Sequence, residues 1–131
     1  MDYNDINSII KIRIIKAKET VEDARIALQS DRLRNALNRI YYAIFYMVSA
    51  LSIKLGFSTS KHKQLMGWFI KTFVSTGKIK PEFSNIYKRA YERRQESDYD
   101  DILEFDKSQV ESHYNDMLTF VNEIEKLINQ V

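Results

Sequence analysis

The sequence predicts an all-α protein, an antiparallel up-and-down bundle of about five helices. Three observations predict it. Three glycines and one proline occur in 131 residues, at Gly56, Gly67, Gly77 and Pro81, whereas a sheet protein needs a turn signal about every ten residues. Apolar residues recur at alternating steps of three and four along several segments, with charged residues between them. Three of these stripes are long and near-heptad in period, which favours antiparallel packing at shallow angles. The composition has no break, so residues 1–131 read as one domain. A chain of this size buries about two-thirds of its unfolded surface and needs no disulfide or metal to fold.

Each element has its own signals. The first helix carries Ile10, Ile14, Ala17, Val21, Ala24 and Leu28. Asp31 reads as the N-cap of a second helix, whose stripe is Leu33, Leu37, Ile40, Ile44, Met47, Leu51 and Leu55, with Gly56 as its C′ residue. After the polar break "FSTS", a third helix holds Leu65, Met66, Phe69, Ile70 and Phe73 and stops at Gly77. Pro81 opens the fourth, since proline at the first helical position loses no hydrogen bond. Phe83, Ile86, Tyr87, Ala90 and Tyr91 give it a short aromatic face, and "SDYDD" breaks the pattern. Asp106 then caps a last helix, with Gln109 at N3 and Phe105 stapled on Val110. Its stripe runs through Tyr114, Met117, Val121, Ile124, Ile128 and Val131. Leu37, Ile44, Leu51, Val121 and Ile124 are the expected core.

Composition excludes several classes. The chain has no cysteine, which removes disulfides and thiolate–metal sites and suits a reducing cytoplasm. No uninterrupted run approaches the roughly 18 apolar residues of a membrane span, and the N-terminus lacks a signal-type apolar region. The expectation is a cytoplasmic protein that contacts no membrane. A net charge of +2 is too small to mark a nucleic-acid binder, so any RNA contact must come from a local patch. Neither a phosphate-binding glycine loop nor a zinc-spaced histidine pair is present, so no metal and no cofactor is expected.

The residues with chemical potential lie in three stretches. His62, in "SKHKQL", falls in the first turn of the third helix between Lys61 and Lys63. Free N–H groups and ammonium groups there suit an anion, and a helix N-terminus favours neutral imidazole. The bland alternative is a structural histidine. His113 reads as a boundary or surface residue. In "NRIYYAIFY", Asn38, Tyr42 and Phe45 share an edge beside the main stripe, while Tyr41 lies about 100° from Tyr42 and should face elsewhere. Core packing with a satisfied phenol is the simpler reading. In "YERRQESDYDD", Arg94 and Asp98 are four apart and face each other on a continuing helix. By charge pattern alone this is an ordinary exposed pair, worth about 0.3–0.5 kcal/mol.

Taken together, "ALNRIYYAIFYMVSAL", "KHKQLMGWF", "FVSTGKI" and "YERRQESDYDD" resemble the HEPN family, the higher-eukaryote and prokaryote nucleotide-binding domain, in its small single-domain prokaryotic branch. The likeness runs from about Ala27 to the last helix. It implies a helical bundle that pairs as a homodimer. Many such proteins are metal-independent ribonucleases, and a number are toxins encoded beside a minimal nucleotidyltransferase antitoxin. The family hallmark is an arginine followed about one turn later by a histidine at the dimer cleft. Arg94 matches the arginine, and Asp98 stands where the histidine is expected.

That departure bears on activity. Cleavage through the ribose 2′-OH needs a base, an acid and a cation for the phosphorane. A carboxylate ion-paired with arginine is a poor acid and a weak base at neutral pH. His62 can replace the missing histidine if the third helix meets the exit of the fourth. The expected centre is Arg94, Asp98 and Tyr99 with His62. Arg93, Arg94, Asn38, Tyr42, Lys61 and Lys63 are the expected nucleotide or RNA contacts. Tyr99 offers a phenol that stacks on a base or accepts a nucleotidyl group, as a tyrosine near the motif does in related toxins.

Three readings follow. The first is a HEPN-type nucleotide- or RNA-binding partner of a nucleotidyltransferase in a toxin–antitoxin-like module. The second is a metal-independent endoribonuclease toxin, and the third a non-catalytic helical dimer. A surplus of large aromatics (Tyr42, Tyr46, Trp68, Tyr87, Tyr91) supports the homodimer.

Overall fold

The computed structural model describes residues 3–131. It contains α1 (Tyr3–Gln29), α2 (Leu33–Lys54), α3 (His62–Phe69), α4 (Pro81–Tyr99) and α5 (Lys107–Gln130). No strand occurs among the described residues, so the all-α bundle predicted by the stripes is the observed architecture.

α2 is the central strut. It packs most extensively on α1 and also touches α3, α4 and α5. Its Leu37, Ile40, Ile44, Met47 and Leu51 are all but inaccessible, and Val121 and Ile124 of α5 are buried with them. Each such side chain contributes about 1.5–3 kcal/mol by leaving water. Buried alanines at seven-residue spacing, Ala17 and Ala24 on α1 and Ala36, Ala43 and Ala50 on α2, let helices approach closely. The stripes fray at their ends: Leu55 and Val131 are exposed. α2 is long and apolar enough, by length and composition alone, to cross a membrane, a point missed when runs of apolar residues are counted. In the bundle 67% of that stretch is buried, as befits a core helix.

Asp31 does not cap α2. The α2 N-cap is Arg32, which makes no side-chain capping bond. Asp31 instead takes φ 59° and ends α1. Its N–H bonds Leu28 O at 3.1 Å and the Arg32 N–H bonds Ala27 O at 2.8 Å, the paired bonds of a Schellman terminus. Aspartate tolerates the left-handed region better than most residues, which is why a cap-type residue stands at an exit. Gly56, at φ 84°, fills the same role after α2, as expected.

α3 does not run evenly to Gly77. It continues as a π-helical turn over Ile70–Val74, with Ser75 N bonding Ile70 O at 2.8 Å. Asp106 caps α5 as its sequence signals predict, accepting from Ser108 N at 2.9 Å. Two cations tie the helices together. Lys54 Nζ donates to Ile128 O at the end of α5 (2.6 Å). Arg34 donates to Ser97 O near the end of α4 (2.8 Å) and to Leu103 O in the following loop. Arg34 therefore fixes where α4 leaves the bundle, and with it the residues one turn earlier.

Candidate functional site

α4 stays helical through Tyr99, so Arg94 and Asp98 do share a face. Arg94 Nε lies 2.9 Å from Asp98 Oδ2, with 18% and 30% of the two side chains exposed. The buried Nε makes no hydrogen bond, so its N–H is not directed at that oxygen and the contact is an ion pair. The guanidinium carbon stands 5.6 Å from the centre of the Tyr41 ring and 5.4 Å from that of Tyr42. Such cation–π contacts hold the charge without occupying its N–H groups. The terminal nitrogens of Arg94 donate to no acceptor among the described residues.

The expectation that Tyr41 and Tyr42 face apart is corrected here. Their backbone directions differ, yet the rings meet edge to face at 5.2 Å, and Arg94 covers both. A tyrosine reaches about a turn's width from its backbone, so the 100° offset is recovered by the side chains.

α3 packs on α2 and brings His62 to the same tyrosines that Arg94 covers. His62 Nδ1 lies 2.7 Å from the Tyr41 hydroxyl. The imidazole stacks on Phe45 (centres 4.5 Å apart) and on Tyr41 (5.6 Å), with the Tyr42 edge at 5.7 Å. Burial, and then the Arg94 cation, push the His62 pKa below its ordinary value, so the ring is neutral near pH 7. Burial raises the pKa of the enclosed Tyr41 phenol. Its proton has no other acceptor among the described residues, so the phenol donates to Nδ1. Neutral His62 therefore carries its hydrogen on Nε2 and presents a donor, not a base.

Asn38 reaches the cluster indirectly. Its Oδ1 accepts from Arg39 Nε (3.0 Å) and Nη2 (2.6 Å), and the Arg39 guanidinium carbon is 5.3 Å from the centre of Tyr42. Arg39, which the sequence reading did not name, belongs to the cluster, as do Tyr41 and Phe45, which it named in "NRIYYAIFY" but not among the expected contacts. For Arg39 a signal existed, because a cation three residues before Tyr42 lies beside it on a helix. Lys61 and Lys63 flank His62 on the exposed rim.

Two expected members stand elsewhere. Tyr99 is 78% exposed and makes no ring contact or hydrogen bond among the described residues. Arg93 points the other way, with Nη1 2.9 Å from Glu96 Oε1. It lines a cavity of about 300 Å³ with His113, Glu104 and Asp106. No group of three or more metal-type ligands is found among the described residues.

Fold and geometry define a helical-bundle protein in which Arg94 and His62 pack against the same aromatic rings. Residues 10–127 match the HEPN domain, and the chain belongs to that family. It is 39% identical to a UPF0332 protein of Thermotoga maritima, over 98% of this chain and 97% of that one. Two proteins of Methanocaldococcus jannaschii described as candidate toxins are also similar. One is 30% identical over 88% of this chain and 78% of its own length, the other 28% over 97% and 94%.

Proposed function

We propose that this protein binds the phosphate groups of RNA or a nucleotide at the Arg94–His62 centre, as the HEPN half of a toxin-like module with a nucleotidyltransferase. It would act in the cytoplasm as a homodimer that brings two such centres together. One observation carries the binding role: Arg94, whose terminal nitrogens donate to no acceptor among the described residues, lies over Tyr41 and Tyr42, and His62 packs against the same two rings. A guanidinium can grip a phosphate with two bonds at any working pH, and the rings offer stacking surface for a base, worth about 1–3 kcal/mol per base. Family membership and the toxin descriptions of two relatives support the RNA-linked role.

The same geometry favours binding over cleavage. Asp98 is engaged by Arg94, and the His62 nitrogen nearest a base's role already accepts from Tyr41. Ion-paired with Arg94, the Asp98 carboxylate is a weak base at neutral pH. The test is direct. Purified protein should bind labelled single-stranded RNA while leaving it intact, and Arg94→Ala should lose the binding. Degradation by the pure protein would establish the endoribonuclease reading instead. Sedimentation at micromolar concentration should show a dimer, and a monomer alone would remove the paired-centre part of the proposal.

A further inference from the structure

His62 has a second side. It also lines a cavity of about 320 Å³ whose walls come from α1, α2 and the segment that leads into α3, and whose lining does not include Arg94. Arg13 and Lys16 of α1 face it with Tyr46, Ser58 and Ser60. No aspartate or glutamate is among its lining residues. Neither Arg13 nor Lys16 makes an ion pair among the described residues. Lys16 rests its ammonium 4.7 Å from the centre of the Tyr46 ring, an arrangement that leaves its three donors free. Two uncompensated cations, several hydroxyls and an aromatic wall form a second anion-receptive surface. His62 and Phe45, which stack on each other, belong both to it and to the Arg94 cluster.

We infer that this cavity is a second phosphate site, holding through Arg13 and Lys16 a further phosphate of the strand whose neighbouring phosphate is gripped by Arg94. The inference rests on the binding role proposed above and extends it from one nucleotide to a short single-stranded segment crossing His62. Such grooves follow a backbone with cations while aromatics take up bases.

The experiment measures anisotropy of a labelled single-stranded RNA of about ten nucleotides over a range of salt, beside competition by adenosine monophosphate. The variants are Arg13→Ala combined with Lys16→Ala, Ser58→Asp, and Arg94→Ala. Ser58 is exposed, so its replacement places a repelling charge at the cavity without disturbing the core. The double variant and Ser58→Asp should each weaken decamer binding by about tenfold. The double variant should also reduce the salt slope by about 0.7 for each phosphate that no longer has a cation against it. Monophosphate affinity should stay at the wild-type level in both. Wild-type decamer affinity and slope in these variants would overturn the second site while leaving Arg94 binding intact. Equal losses for decamer and monophosphate would mean a small-phosphate pocket and no strand path. If Arg94→Ala leaves binding unchanged, the underlying reading fails, and the strand path with it.

Discussion

Arg93 and Arg94 are adjacent on α4 and lead into two regions built from the same kinds of residue. Each arginine has a carboxylate within one turn, Glu96 or Asp98. Each is close to a histidine from another helix whose pKa is lowered, first by burial and then by the arginine itself. The walls differ. Around Arg93 they are the core residues Leu37 and Val110 together with Glu96, Glu104 and Asp106, which already surround the cation with negative charge. Around Arg94 they are Tyr41, Tyr42 and Phe45, and the guanidinium keeps free donors. An arginine, a carboxylate and a histidine are therefore insufficient to define an anion site. What counts is the wall around the cation, carboxylates at Arg93 and aromatic rings at Arg94.

The largest expected effect removes the support common to both regions. α2 supplies Leu37 to one and Tyr41 to the other, and Ile44 is fully buried between the helices that it joins. Ile44→Ala should cost about 2–5 kcal/mol in urea unfolding, the usual range for emptying a buried isoleucine site. A loss below about 0.5 kcal/mol would mean that the stripe collapses without penalty and does not set the geometry of either region.

Next comes the contrast itself. Arg94→Ala should raise the Kd for single-stranded RNA by at least about tenfold, near 1.4 kcal/mol. Arg93→Ala should change it by less than about twofold, because Glu96 is paired with it and Glu104 and Asp106 line the same cavity and repel a phosphate. Melting temperatures should move little in either case, since partly exposed ion pairs contribute at most about 1 kcal/mol. Equal losses from both variants would erase the distinction between the two regions.

The two regions also differ in how far they could be read in the sequence. Stripes and breakers marked out the helices, and the fully buried Leu37, Ile44, Leu51 and Ile124 lie where the spacing puts them. Asp31 misled because aspartate suits both a helix start and a left-handed exit. Tyr87, grouped with the surplus surface aromatics, is in fact fully buried against Phe69 and Phe120. The π-helical turn at Ile70–Val74 has no signal in composition. At the site, helical spacing could pair Arg94 with Asp98 because both are on one helix. It could not bring His62 to Tyr41, since that meeting depends on how α3 folds back over α2. Nor could it separate Arg93 from Arg94, since one helical step of about 100° decides which neighbour each meets.

The smallest expected effect tests the two histidines. Both have folded pKa values below the ordinary 6.5, so between the lowered value and 6.5 the unfolded chain binds more protons. Their contribution to stability is complete above about pH 6.5 and is lost as pH falls through the lowered folded values. In this respect the two regions act alike. Ligand binding should separate them. An anion held beside His62 favours the imidazolium, so RNA affinity should rise modestly as pH falls from about 7.5 to about 5.5. At His113 the anion is absent, and protonation there should leave affinity unchanged. His62→Gln should therefore flatten the pH dependence of binding, whereas His113→Gln should retain it. A binding curve that keeps its pH slope in His62→Gln, or loses it in His113→Gln, would show that His62 does not face the bound phosphate.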